Sequence, residues 1–591
     1  MIRSNRIGSC SRGETIRPTR RRAGTVQPLA DKKNDLAQDH DSTRFRTRPV
    51  APMSVFQSQI DTGSDAFKRN RENHLVLIEE FRGLEAKVRA NSARARDKFE
   101  KRGQLLPRDR LALLLDRGAP FVEFSTLCGY KMHDDDGDKN IAGGGGISGI
   151  GFISGVRCVI GASDSGIRGG AATPMGIDKG QRMQAVALEN KLPYVQLIES
   201  AGANLFRQAD MFVRGGRSFA NLARLSAAGL PIVSVVNGSS TAGGAYQTGL
   251  SDYVIVVRGR SRIFLAGPPL LKAATGEIAT EEDLGGAEMH YQISGTGEYM
   301  AENDADGIRI CRDVMSRLDW NSNLPYAPPR DVRPPLYDAE EILGIVPVDY
   351  RQPYDCREVI ARIVDASDFL EFKPAYGPHT VTGHASIDGH PVGIIANNGP
   401  IDANGATKAA QFIQLCCQSN TPIVFLQNTT GYMVGRQAEE AGIVKHGSKM
   451  IQAVTNATVP RITLHIGASF GAGNYGMCGR GFDPRFIFAW PNNQISVMGG
   501  EQAAKTMAIV SEEASRKRGE EPNRAMLDSM SKQVIDAYDA EGKALYATAR
   551  LWDDGLIDPR DSRKILAFCL ATCREAVSRR TFPNTFGVGR M

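Results

Sequence analysis

The chain has 591 residues, 41% of them hydrophobic and 23% charged, with a formal net charge of +6. That length exceeds what one hydrophobic core organises, so two or more domains are expected, and no apolar run approaches the roughly 20 residues of a membrane-spanning helix. The charge does not mark a nucleic-acid surface, because seven arginines against Glu14 in residues 1–30 already supply +6 and leave the rest formally neutral.

Residues 1–52 are Arg-rich, then polar through "DKKNDLAQDHD", with too few apolar side chains to fold and no signal-peptide core. We read them as a dispensable or mis-assigned leader of a cytoplasmic protein, with Met53 a plausible second start and a mitochondrial presequence as the alternative. From Phe67 to Gln104 the spacing of Leu75, Leu77, Ile78, Phe81 and Leu84 predicts helix. Beyond Gly143, glycine-rich strands alternate with helices in βαβ-like units. Of ten cysteines, Cys416 and Cys417 sit in an apolar segment, and Cys569 and Cys573 lack a matching second pair, so neither a metal site nor a disulfide framework is expected.

The second half repeats the first. "KLPYVQLIESAGANLFRQ" from Lys191 resembles "NTPIVFLQNTTGYMVGRQ" from Asn420, and "AGLPIVSVVNGSSTAGGAYQTG" from Ala228 resembles "ATVPRITLHIGASFGAGNYGMC" from Ala457. The pairs Pro193/Pro422, Pro231/Pro460 and Gly244/Gly473 share one offset of 229 residues. A repeat of that length is a duplicated domain. The expected division is 53–325, a Pro-rich linker 326–338, and 339–591.

Each copy carries two small-residue turns after buried strands: Ser200–Ala203 or Asn428–Gly431, then Ala242–Ala245 or Gly471–Asn474. A helix start offers unpaired N–H groups and partial positive charge, and Gly or Ala lets a ligand oxygen reach them. Phosphate is one candidate, but neither turn has the P-loop lysine followed by Ser or Thr, and no strand is followed by a G-x-G-x-x-G with an acidic residue some 20 positions on, which favours a carbonyl oxygen. No Cys or Ser stands beside a convincing His and acid in the sequence; His290 and His446 are the best single histidines, each more simply read as a satisfied or positioning group. Without a side-chain nucleophile or acid/base pair, a cofactor is expected to supply the base and the protein the oriented donors.

From about Phe67 onward the chain resembles the carboxyltransferase (β) subunits of biotin-dependent acyl-CoA carboxylases, in "ESAGANLFRQ", "STAGGAYQTGLSDYVI", "FLAGPPLLKAATGE", "LGGAEMHYQISGTGEYMAENDADG", "FGAGNYGMCGRGFDPRF" and "ISVMGGEQAAK". "GAN" and "GAGNYGMCGR" resemble the branch acting on branched α,β-unsaturated acyl-CoAs, and "NNGPIDANGATKAAQFIQLC" and "AENDADG" look closer to geranyl-CoA than to methylcrotonyl-CoA carboxylases. The resemblance implies an α/β fold of two tandem crotonase-like (ClpP/crotonase) ββα-superhelix domains, an acyl-CoA side first and a biotin side second. Gly215, in "RGGRSFANLAR", stands where the methylcrotonyl pattern has an aromatic residue, which implies room for a longer acyl tail.

By that resemblance, carboxybiotin carried by a partner α subunit meets acyl-CoA in a cleft between the N-domain of one subunit and the C-domain of another, within an α6β6 assembly having a β hexamer core. The thioester oxygen would sit on the N–H groups of Ala201 and Gly202, and the biotin ureido oxygen on those of Ala472 and Gly473. Gly243, Gly244, Ala266, Gly267 and Lys272 would shape the acyl-CoA site, and Phe470, Gly471, Met498, Gly499 and Gly500 the biotin site. Ala201 replaces the first glycine of the family's pair, which puts a glycine-only dihedral out of reach there. No biotinyl-lysine signature or ATP-grasp-like segment occurs, so the α subunit must supply both biotin carboxylase and carrier. The alternatives are a propionyl- or acetyl-type subunit, a biotin-dependent acyl-CoA decarboxylase, a crotonase-class hydratase lacking a placeable carboxylate pair, and an RNA-binding scaffold resting only on the leader.

Overall fold

The structure, a computed structural model, describes residues 55–325 and 331–590. The expected leader, Met53 and residues 326–330 of the expected linker lie outside the described residues. The first sheet is built from β1 (Val122–Glu123), β2 (Gly146–Ile153), β3 (Val156–Ser163), β4 (Tyr194–Ser200), β5 (Ile232–Thr241), β6 (Tyr253–Val257), β7 (Arg262–Phe264) and β8 (Tyr299–Ala301). The second comprises β9 (Leu370–Glu371), β10 (Thr380–Ile387), β11 (His390–Asn397), β12 (Ile423–Thr429), β13 (Arg461–Phe470), β14 (Phe486–Ala489) and β15 (Gln494–Ser496). The orders are β1-β2-β3-β4-β5-β6-β8 and β9-β10-β11-β12-β13-β14, with β7 added to β5 and β15 to β13.

The duplication extends to register. Tyr194 faces Ile232 as Ile423 faces Arg461, and both ladders shift at the same point, before the Ser200–Ser240 and Thr429–Ser469 pairs. Helices Pro174–Glu189 and Ala403–Gln418 make the corresponding crossovers. The expected pair of tandem α/β units is present. Runs such as "PIVSVV" and "PIVFL" are buried on both faces, as parallel strands covered by helices require. The largest core cluster draws on both sheets, including Val195, Val235, Ile394, Leu464 and Phe568. At the seam Phe124 stacks on Phe486 and Phe488, with ring centroids 6.1 and 5.6 Å apart.

The predicted helix over 67–104 is two helices, Asp65–Ala93 and Arg96–Lys101, and a third, Pro107–Leu114, follows that span. The Ser64 hydroxyl caps the first by accepting from the Phe67 N–H, and its buried stripe is His74, Ile78, Phe81, Leu84, Glu85, Val88 and Ser92. Gly103 at φ +63° stops the second, and Pro107 opens the third at its first turn.

The chain ends cross over. The Phe56 N–H donates to Ser367 O at 3.0 Å, Asn70 to Gly344 O at 3.1 Å, and the His74 ring pairs with Val346 O at 3.0 Å, so the first helix lies on the second half. Conversely the Asn584 N–H donates to Ala227 O at 2.8 Å and Arg590 to Gly249 O at 2.9 Å, so the C-terminal tail lies on the first. Among the described residues no helix is long and apolar enough to cross a membrane.

Candidate functional site

The first turns agree bond for bond. At the end of β4 the Ser200 hydroxyl accepts from the Gly202 N–H at 3.2 Å, and at the end of β12 Thr429 accepts from Gly431 at 3.2 Å. Gly202 O then accepts from Ala172, and Gly431 O from Ile401, both at 2.9 Å. Gly202 (φ +90°) and Gly431 (φ +119°) take the dihedral that glycine permits. Ala201 is absent from the positive-φ residues, so its methyl meets no forbidden conformation and the expected penalty does not arise. Its N–H, however, donates to Gly169 O at 3.1 Å. Both acyl-side N–H groups therefore rest on acceptors of the chain itself.

The second turns open helices Gly243–Gly249 and Gly471–Gly476. Gly471 has φ +52°, and a Cβ there would lie 2.9 Å from Val497 O, so glycine is required. Its counterpart Ala242 holds φ +54° and ψ −127° with a methyl group, a conformation normally left to glycine. The Ala242 N–H donates to Phe264 O at 3.0 Å, which ties the turn to β7. Gly473 packs against the first turn, where a Cβ would meet Gly431 Cα and Thr429 Cγ2 at 2.8 Å. Gly244 has open space at that position, and Gly243 would meet the Phe219 ring at 3.4 Å. Ala472 is exposed, and no acceptor among the described residues reaches the N–H of Ala472 or Gly473.

A cavity of about 430 Å³ on the second sheet is walled by Tyr350, Tyr354, Phe470 and Gly499, with the amides and hydroxyl of Gln352, Asn398, Asn428, Thr430 and Gln502 and the Arg351–Glu501 ion pair as its polar groups; Ala472 and Gly473 are not in its lining. Phe470 stands edge-on to Tyr350, centroids 4.9 Å apart. Met498 is half-buried beside it, while Gly500 packs on Tyr538 and Ile535 of helix Arg524–Glu541. On the first sheet a cavity of about 160 Å³ is lined by residues that include Ile177, Gly180, Gln184, Ser200, Ser218 and Gln247. Gly215 lies beside it on helix Gln208–Ala227, where an added Cβ would touch only Ile177, at 4.0 Å. Ala266 and Gly267 follow β7, and Gly267 caps helix Pro268–Thr275, which has no buried residue and carries the exposed Lys272. The two cavities share no lining residue.

Several supporting groups escaped the sequence reading. Behind the acyl-side turn Arg110, 1% exposed, pairs with Glu199 and Asp304, which also accept from Ser165 at 2.8 Å and Asn237 at 2.9 Å. A glutamate inside the apolar strand "YVQLIES" was the only hint of it. Buried lysines recur at the common offset: Lys179 donates to Gly143 and Gly146 carbonyls, and Lys408 to Lys373 O. Burial lowers both, Lys408 to about 8. Tyr350 lies outside the segments in which the halves were aligned, so the repeat does not reveal it. Both ring nitrogens of His290 are held, by Ser294 and Ile263 O, and His446 pairs with Thr407. Among the described residues no cluster of three metal-ligating side chains occurs.

Residues 98–586 match the carboxyl transferase domain. The chain is 46% identical over 539 residues to the probable biotin-dependent acyl-coenzyme A carboxylase beta2 subunit of Mycobacterium tuberculosis, covering 91% of this chain and 100% of that protein. It is 46% identical over 542 residues to the methylcrotonoyl-CoA carboxylase beta chain of Dictyostelium discoideum, with 91% of each covered. The crystal structure of the beta subunit of P. aeruginosa geranyl-CoA carboxylase superposes with a TM-score of 0.86 at 57% identity, covering 91% of this chain and all of that one.

Proposed function

The chain belongs to the carboxyl transferase family, and on that premise we propose that it is the carboxyltransferase subunit that moves CO2 from carboxybiotin to the γ carbon of a branched α,β-unsaturated acyl-CoA, with geranyl-CoA ahead of 3-methylcrotonyl-CoA. The observation that carries the substrate reading is Gly215: an added Cβ there would touch only Ile177, at 4.0 Å, and Ile177 lines the 160 Å³ cavity, so glycine leaves free the room that a ring would take beside that wall. The names of the similar proteins, methylcrotonoyl-CoA and geranyl-CoA carboxylase beta subunits, support the same branch.

When bound, carboxybiotin supplies the CO2 and the base. The 430 Å³ cavity suits it, with aromatic walls for a bicyclic ring and amide and hydroxyl groups for a ureido edge. We assign the biotin-side donors to the N–H groups of Ala472 and Gly473, which lie at a helix start with no competing acceptor from the described chain. The acyl-side donors are Ala201 and Gly202. A thioester oxygen must displace Gly169 O and Ser200 Oγ from them, and Gly169 and Gly170, at φ +63° and +71°, give that loop permissive backbone. Each such donor is worth about 2.7–4 kcal/mol when aimed at the developing charge.

The division remains 53–325, 326–338 and 339–591, and the partner is a biotin-carrying α subunit, with a β hexamer inside α6β6 and a cytoplasmic setting. Phe206 (98% exposed), Phe212 and Val213 flank the acyl-side turn, and Val434 (86%), Val444 and Val497 the biotin side. Apolar surface placed there supports a second copy covering each half-site. The test is Gly215→Phe in the holoenzyme, which is expected to lower kcat/KM for geranyl-CoA by about 10-fold or more while sparing 3-methylcrotonyl-CoA. Unchanged selectivity would remove the size argument.

A further inference from the structure

We infer that Gln427 is a positioning residue for the biotin-side donors, a role that rests on the assignment of Ala472 and Gly473. Gln427, on β12, is fully buried. Its Oε1 accepts from the Ser469 hydroxyl at 2.7 Å, its Nε2 donates to Asn474 O at 3.1 Å, and Asn474 Nδ2 donates back to Ser469 Oγ at 2.7 Å. One amide thereby grips the residues on either side of Phe470–Gly473. The turn needs such a grip, since Gly471 and Gly473 bring the largest backbone freedom to the very groups that must be aimed.

The acyl half solves the same problem differently. Ile198 occupies the position of Gln427, as the Ile198–Val236 and Gln427–His465 pairs show. There Ser240 donates to Gly244 O at 3.0 Å and bonds Thr248 at 3.0 Å, closing the turn on itself, and the methyl of Ala242 restricts its first residue.

The neighbours of Gln427 have diverged with it. Thr380 and Asn397 are paired across β10 and β11, and Asn397 follows the Ala396–Leu426 pair, so Thr380, Asn397, Gln427 and His465 form one row across the sheet. All are buried, and Thr380 Oγ1, both amide atoms of Asn397 and His465 Nε2 have no hydrogen-bond partner among the described protein groups. The same row of the acyl half reads Gly146, Ser163, Ile198 and Val236. Burying polar atoms unpaired is costly, and the half whose turn opens on a glycine at positive φ, Gly471, where the other has Ala242, is the half that keeps a polar row beneath it.

The test compares wild-type holoenzyme with Gln427→Met, Asn474→Ala and the double variant, measuring overall kcat, KM for acyl-CoA, and carboxyl transfer from the carboxylated product to added free biotin. Each single variant is expected to lower kcat and transfer to biotin about 10- to 100-fold, with acyl-CoA KM within about twofold and the double no worse than the worse single. Wild-type transfer in a folded variant, an acyl-CoA KM that rises in step with the loss, or additive losses would each overturn the role. Should Gln427→Met not assemble, Ser469→Ala, which removes the hydroxyl that donates to Gln427 Oε1, decides alone with the same expected loss. Ala472→Pro separates the two readings. Loss of transfer there beside unaffected Gln427 and Asn474 variants overturns the positioning role alone, and undiminished transfer in Ala472→Pro overturns the donor assignment itself.

Discussion

Ala201 and Ala242 show how a residue type misleads without a dihedral beside it. The alanine that departs from the family's glycine pair sits in ordinary backbone, whereas Ala242, which the sequence offers as part of a harmless Ala-Gly-Gly run, holds φ +54°. Relieving strain of about 1–3 kcal/mol, less the roughly 0.5–1 kcal/mol entropic cost of glycine, Ala242→Gly is expected to stabilise the fold by about 1 kcal/mol, read as a higher denaturation midpoint. A lower midpoint would show that the methyl is not strained. Asp553 makes a second case. Burial pushes its carboxyl up to about 7, against hydrogen bonds from the Thr548 hydroxyl and Gly555 N–H, and its Oδ2 has no partner among the described groups. A carboxyl raised in the fold contributes stability that is present below the unfolded value near 4 and lost as pH rises through 7. Asp553→Asn is expected to gain on the order of 1–3 kcal/mol at pH 8 relative to pH 5; an equal effect at both pH values would contradict that.

At the scale of elements, the four small-residue turns were legible because duplication repeated them at one offset; each lies at a strand end, but only the second pair opens a helix, since the next α-helices after the first pair begin at Gln208 and Arg436. What the turns touch was not legible. Gly169 O on Ala201 and Tyr350 beside Phe470 lie 32 (201 − 169) and 120 (470 − 350) residues from their partners, and no periodicity encodes such contacts. The long helical pattern from Phe67 to Gln104 was read correctly as helix but not as two, because the break at Arg94–Ala95 carries no glycine or proline to announce it, while Gly103, left-handed at φ +63°, follows the second helix. Ala472→Pro follows from the element itself. Proline is tolerated in the first turn of a helix and removes one N–H, so it is expected to cut carboxyl transfer by about 100-fold or more with little change in acyl-CoA KM.

For the whole molecule, the crossing of the chain ends lay beyond reach of the sequence, since nothing in Phe56 or Asn584 announces a partner some 300 residues away. The halves are also joined through Asp554. Its carboxylate accepts from Arg182 of the first half at 2.8 and 2.9 Å and from Arg480 at 3.0 Å, and despite full burial these cations hold it down to about 2. Stability from this group is present above pH 4 and lost as pH falls toward 2. Asp554→Ala leaves the buried Arg182 only Glu189, at 3.9 Å, as an ion-pair partner, and is expected to cost about 3–5 kcal/mol, measured as a lower denaturation midpoint at pH 7 whose difference from wild type shrinks at acid pH. A constant difference across pH would remove the ion pair from the account.

The central claim concerns what is carboxylated. Assembled with its biotin-carrying α subunit and supplied with ATP, bicarbonate and a panel of acyl-CoAs, the chain is expected to carboxylate branched enoyl-CoAs, geranyl-CoA most efficiently and 3-methylcrotonyl-CoA next. Carboxylation of short straight-chain acyl-CoAs without turnover of the branched enoyl-CoAs would contradict it.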